Sequence, residues 1–198
     1  MWVAIVSIGA CATAPPRQPE NICAIFQEKI EWYAAARASE QRWAIPASVQ
    51  LAVIYQESSF SENARPPRSR FLWVLPGPRP SSAYGYGQVV DGTWELYKRT
   101  GGRARARRDD FADVVDFIGW YGARFERDLG IAPGDARRFY LAYHEGPAGF
   151  RRASYSAKPW LERAAGRVEK RAERYRTQLA MCRDDLDERL RSPWWWPF

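Results

Sequence analysis

Histidine occurs once in this chain, at His144, and cysteine three times, at positions 11, 23 and 182. Zinc needs three or four clustered ligands, so no metal site is expected, and no other cofactor is called for. Strand-like alternation is nearly absent and no internal repeat appears. The only apolar stretch near the N-terminus, Trp2-Val3-Ala4-Ile5-Val6-Ser7-Ile8, is too short to span a bilayer as a helix. Between Glu62 and Asp91 there is no carboxylate at all, which limits any two-carboxylate chemistry to residues outside that stretch.

Hydrophobic residues make up 46% and charged residues 27% of the 198, a globular rather than a disordered balance. The length suits one domain with a substantial core. Aromatics reach 15%, enough either for an aromatic core or for exposed platforms on which a ligand stacks. The formal net charge of +7 favours an anionic partner, whether nucleic acid, anionic lipid or a polymer bearing carboxylates. The densest basic run, Arg103-Ala104-Arg105-Ala106-Arg107-Arg108, follows Gly101-Gly102 and reads as a solvated loop. No nucleic-acid-binding motif accompanies it, so nucleic acid is not an expected partner.

The apolar start leads into Ile8-Gly9-Ala10-Cys11 and then a polar, Pro-containing stretch. This resembles a bacterial lipobox, in which Cys11 becomes the acylated first residue of the mature protein, although no Lys or Arg precedes the apolar stretch as in a secretory signal. It implies a membrane partner through a lipid on Cys11. The expected location is the periplasm of a Gram-negative bacterium, with the lipid in the outer membrane. Cys23 and Cys182 then remain, one near each end of the domain, and in an exported protein they are expected to form a disulfide. The organisation reads as a signal-like segment and linker over 1–20, one domain over 21–190, and a Trp-rich tail over 191–198.

Helical periodicity begins at Asn21, a good N-cap, with Ile22, Ile25, Phe26, Ile30 and Tyr33 on one face. A second helix starts at Pro46, a residue suited to a first turn, and is apolar nearly all round from Val49 to Tyr55, as in a helix running through a core. It ends at Gln56-Glu57-Ser58-Ser59-Phe60. From 65 to 82 the pattern gives way to Pro, Arg and Gly around Phe71-Leu72-Trp73-Val74-Leu75, a loop or small hairpin. Its Trp73 is expected to meet a sugar ring or a membrane. Asp91 caps a short helix, Asp109 or Asp110 opens a long one, and further helices cover roughly 135–144 and 159–190. The class is mainly α.

Three segments carry the chemistry: Gln56-Glu57-Ser58-Ser59-Phe60, Ser82-Ala83-Tyr84-Gly85-Tyr86-Gly87-Gln88, and Ala142-Tyr143-His144-Glu145-Gly146. In this order they resemble the soluble lytic transglycosylase domain, a lysozyme-like helical fold related to goose-type lysozymes. That family carries Glu-Ser-x-Phe, Gly-Ala-x-Gly-Leu-Met-Gln and Ala-Tyr-Asn-x-Gly over the equivalent of residues 40–175. Ser82 replaces the family's first Gly, Tyr86-Gly87 its Leu-Met, and His144 its Asn. The resemblance implies peptidoglycan glycan strands as substrate and Glu57 as the single acid/base. It also implies attack by the muramic acid 6-hydroxyl, giving a 1,6-anhydro sugar. Substrate contacts are expected from Ser59, Ser82, Tyr84, Gly85, Tyr86, Gln88, Tyr143, His144 and Glu145. Tyr143 resembles the family Tyr that lies beside the catalytic Glu, a place from which its hydroxyl could orient the carboxylate.

The residues support Glu57 independently. A carboxylate at a helix C-terminus faces the negative end of the macrodipole, and apolar neighbours withdraw water. Both effects raise its pKa towards that of a general acid at neutral pH. Ordinary glycosidases use a second carboxylate, and Glu145 and Glu95 are the candidates. With one carboxylate, the substrate's N-acetyl group serves as nucleophile instead. A hydrolytic muramidase using Glu145 and a non-catalytic wall-binding lipoprotein are the competing readings.

Overall fold

Asn21 caps the first helix by accepting the Ala24 N–H at 3.2 Å. The helix stops after two turns. The computed structural model describes residues 13–68, 70–71, 75–76 and 78–191. Within them the order is α1 (Ile22–Glu28), α2 (Ile30–Trp43), α3 (Ala47–Ser58), β1 (Arg70–Phe71), β2 (Leu75–Pro76), α4 (Asp91–Thr100), α5 (Phe111–Leu129), α6 (Ala136–Arg151), a 3-10 turn at Ser154–Ala157, and α7 (Pro159–Arg191). The expected continuous helix from Asn21 is broken at Lys29, whose φ of −133° lies outside the helical range. α1 can therefore lie on α7 while α2 turns to pack on α5.

Pro46 is the N-cap of α3 rather than its first helical residue, with ψ of 138°. Val90, not Asp91, caps α4. Asp110 caps α5 through the Asp113 N–H at 3.0 Å. α3 is buried on every side from Ala47 to Ile54, in keeping with its mostly apolar sequence, and the buried Gln50 amide donates to Ile45 C=O at 2.8 Å. It packs chiefly against α7, α6 also leans on α7, and α5 forms the other wall of the core. Aromatics fill that core: Trp32 stacks on Phe111 with ring centres 3.9 Å apart, and Phe117 meets Trp94, Tyr97 and Tyr121.

Cys23 of α1 and Cys182 of α7 form the expected disulfide, with Cα atoms 6.1 Å apart and a sequence separation of 159. The stretch 13–20, expected to be a linker, is fastened to the body. Thr13 N–H donates to Glu62 at 3.0 Å, Pro19 C=O accepts from Tyr175, and Glu20 pairs with Arg171 at 2.8 Å and Arg174 at 2.5 Å. The segment read as a loop or small hairpin contains one: β1 and β2 are antiparallel, with Arg70 opposite Pro76 and Phe71 opposite Leu75. Cys11, Trp73 and the Trp-rich tail from Pro193 lie outside the described residues. Among the described residues no helix is long and apolar enough to cross a membrane.

The basic run at 103–108 is not merely a solvated loop. Arg103 pairs with buried Asp113, whose other oxygen accepts the Arg107 N–H at 2.9 Å. Arg107 pairs with Asp109 at 2.9 Å. Arg108 donates to Val89 C=O at 2.8 Å and to Ser82 C=O at 3.0 Å. Arg108 thus ties the turn before α4 to the loop before α5.

Candidate active site

The last turn of α3 delivers Glu57 to the floor of an open cleft of about 440 Å³. Behind it the chain turns away through Ser59 and Phe60, both left-handed at φ 51° and 64°. Non-glycine residues rarely adopt that conformation. Here the buried Phe60 ring, set against Trp32 and Tyr55, compensates for it. The opposite walls come from α5, through Phe117 and Tyr121, and from α6, through Tyr143, His144 and Glu145. α6 is interrupted at Gly146 (φ 69°, ψ 166°), a conformation open in practice to glycine alone, and Pro147 starts the helix again. The kink leaves the 143–146 segment facing the cleft rather than covered by a further helical turn.

Burial pushes the Glu57 carboxyl up to about 7, and the Tyr140 hydroxyl, which hydrogen-bonds it, opposes that rise by favouring the charged form. Burial, together with Glu57's charge and this hydrogen bond, raises the Tyr140 phenol. Among the described residues no cation contributes to the Glu57 shift. The carboxyl therefore holds its proton up to neutrality and releases it just above, the behaviour a group needs if it is to act as acid and then as base.

Glu145 is the reverse. Its side chain is 5% exposed, yet Lys158 Nζ donates to Oε1 at 2.6 Å, His144 Nδ1 lies 3.0 Å from the same oxygen, and Ser154 donates to Oε2. Burial alone would raise it, but these partners together hold it down at about 2. Both oxygens are occupied. Beside this cluster His144 meets Trp160 edge-on at 5.0 Å, with Trp160 half exposed.

Of the residues expected from the sequence, Glu57, Gln88, Tyr143, His144 and Glu145 line the cleft, and five others do not. Tyr86 is 1% exposed, edge-on to Trp32 and Phe111, so it belongs to the core. Gly85 serves protein packing rather than a sugar: at φ +77°, an added Cβ would sit 1.9 Å from the Arg108 carbonyl oxygen. Ser59 is the left-handed C-cap of α3 and points its hydroxyl back at Tyr55 C=O, 3.5 Å away. Ser82 and Tyr84 line an adjoining pocket. Glu95 pairs with Lys98 at 2.7 Å on α4 and is not among the cleft residues.

Two lining residues are committed differently from expectation. Gln88 spends its side-chain N–H groups on Ala64 C=O and Gly85 C=O, both at 2.9 Å, so its amide nitrogen braces the loop. The Tyr143 hydroxyl donates to Gly87 C=O at 2.7 Å, not to the carboxylate. Tyr140, one helical turn earlier on α6, is the tyrosine set against the Glu57 carboxyl. The i, i+3 spacing of Tyr140 and Tyr143 was the available signal. Among the described residues no group of three or more His, Cys, Asp or Glu stands close enough to hold a metal ion.

A family model described as the Transglycosylase SLT domain matches residues 1–182, most of the chain, and the chain belongs to that family. The mainly helical architecture is the one this family implies. No curated protein matches the chain at a significant level.

Proposed function

We propose that this SLT-domain protein is a peptidoglycan lytic transglycosylase in which Glu57 is both the acid and the base. Protonated Glu57 gives its proton to the glycosidic oxygen as the bond from muramic acid C1 to that oxygen breaks, with the substrate's N-acetyl group supporting C1. The resulting carboxylate then takes the proton of the muramic acid 6-hydroxyl as O6 bonds to C1. The products are a 1,6-anhydromuramic end and a free 4-hydroxyl on the leaving sugar, and no water is consumed.

The observation that carries this reading is the Glu57 carboxyl, raised to about 7 on the floor of an open cleft. Such a group is half protonated near neutral pH and can serve both steps. The ordinary two-carboxylate hydrolysis by a muramidase of the same fold would use a second carboxylate as base or nucleophile. Glu145 is poorly suited to that task, because three donors occupy its oxygens and a group titrating at about 2 is a weak base. A groove used only for binding gains nothing from an acid kept in an apolar setting. The same reading places the enzyme in the periplasm, tethered through a lipid on Cys11. The Cys23–Cys182 disulfide supports an oxidising compartment.

Mass spectrometry of muropeptides released from purified sacculi tests the reaction directly. Anhydromuramic termini are expected as the main product. Reducing termini in their place would overturn the proposal in favour of hydrolysis.

A further inference from the structure

Next to the cleft, and sharing Ser81 and Ala83 with its wall, lies a second pocket of about 330 Å³. Three arginines converge on it. Arg65 lies over the Tyr84 ring at 4.2 Å, and Arg108 approaches the same ring at 5.5 Å. Arg79 donates to Pro66 C=O. The only acid lining the pocket, Asp91, is paired with Arg108 at 2.8 Å. Among the described residues neither Arg65 nor Arg79 has a carboxylate in ion-pairing range, so the pocket keeps two uncompensated positive charges.

Its other polar groups are also donors. Ser81 Oγ accepts the Ala83 N–H at 3.3 Å and Ser82 Oγ accepts the Asp91 N–H at 3.0 Å, and each hydroxyl keeps its own proton to give. The Tyr84 hydroxyl is held between Asn63 and Asp109 at 3.0 and 3.1 Å, which fixes the ring that the guanidiniums flank. Like charges gathered in one concavity repel unless an anion joins them, and a planar guanidinium suits a carboxylate through paired hydrogen bonds.

We infer that the pocket formed by Arg65, Arg79 and Arg108 is a subsite for a carboxylate of the glycan substrate, received while the sugar chain lies in the adjoining cleft. The inference rests on the transglycosylase reading for the identity of the polymer. Peptidoglycan offers two carboxylate sources, the amino acids of its peptide arms and, where the peptide is absent, the lactyl group of muramic acid. Ser82 and Tyr84, which do not line the Glu57 cleft, contribute here instead.

The test compares the parent protein with Arg65→Ala/Arg79→Ala on solubilised peptidoglycan, native or with its carboxylates converted to amides by carbodiimide and ammonia. Arg108 is left in place because it ties Ser82 to Val89. On native material the variant should show a KM raised about tenfold with little change in kcat. The parent should show the same rise on the amidated material, and the gap between the two proteins should close there. Equal losses on both substrates, or no loss on native material, overturn the inference. Thermal unfolding reports whether the variant is folded; if it is not, the parent's response to amidation decides. Peptide-stripped glycan separates the sources: sensitivity to the variant that persists there assigns the carboxylate to muramic acid, and sensitivity that disappears assigns it to the peptide arm. A parent protein that cleaves none of these polymers defeats the transglycosylase reading alone. Co-sedimentation of both proteins with native and amidated peptidoglycan then judges the subsite by the same pattern.

Discussion

Two glutamates face one cleft, Glu57 from the end of α3 and Glu145 from α6, and their surroundings drive them apart. Glu57 sits among apolar and phenolic groups, with no cation among the described residues contributing to its shift, and rises to about 7. Glu145 also presents little side chain to solvent, yet Lys158, Ser154 and His144 converge on it and hold it near 2. Burial raises both carboxyls; at Glu57 little opposes it, and at Glu145 the combined donors outweigh it. Two carboxyls with pKa values pushed apart divide into a group that trades protons and a group that only holds charge. On the proposed mechanism that division gives Glu57 the chemistry, while Glu145 anchors the 3-10 turn and the start of α7 against α6.

The largest effect expected from breaking this contrast is at Glu57. Glu57→Gln keeps the shape and removes the transferable proton, so cleavage of purified sacculi should fall by about 10³-fold or more. Stability should move the other way. A raised folded pKa means the native state binds the extra proton between pH 4.5 and about 7, so wild-type stability declines as pH rises through that window. The variant has no such decline and should be more stable than wild type at pH 8, by up to roughly 3 kcal/mol in urea unfolding. A variant that still lyses sacculi substantially would remove Glu57 from the mechanism.

Glu145→Gln should behave oppositely. Its lowered pKa contributes stability above about 4.5 that is lost as pH falls towards 2. The variant should therefore lose about 2 kcal/mol at pH 7, the worth of hydrogen bonds to a charged group, and converge on wild type near pH 2. Cleavage should largely survive, because no proton is exchanged at this carboxylate. Loss of activity as complete as that of Glu57→Gln would instead make it the second carboxylate of a hydrolase.

The difference between the two glutamates was only half legible in the sequence. Eight consecutive buried residues from Ala47 to Ile54 announce a core helix, and a Glu at its end inherits dry surroundings from local sequence alone. Glu145 depends on Ser154 and Lys158, which reach it only because the chain doubles back after α6, and no local pattern signals that return. Gly85 failed to declare its purpose for the same reason: its close neighbour, the Arg108 carbonyl, lies in another loop. The break at Lys29 was hidden because the apolar spacing runs on smoothly across it. Cys23 and Cys182, by contrast, could be paired because few other pairings existed.

The finest test of the contrast lies in the two tyrosines of α6. Tyr140 hydrogen-bonds Glu57 and, among the described residues, is the neighbour that favours its charged form. Tyr143 lies close by, but its hydroxyl is given to Gly87 C=O at 2.7 Å. Tyr140→Phe removes stabilisation of the carboxylate, so the Glu57 pKa should climb further and the alkaline limb of the kcat/KM profile should move up by about half a pH unit to one unit. Tyr143→Phe removes a tie between α6 and the loop instead. It should cost about 1 kcal/mol of stability and leave the alkaline limb where it is. Sequence likeness alone assigns the orienting role to Tyr143 and reverses these outcomes. A pH profile that shifts in Tyr143→Phe and stands still in Tyr140→Phe would restore that assignment, and would mean that contact with Tyr140 does not set the protonation of Glu57.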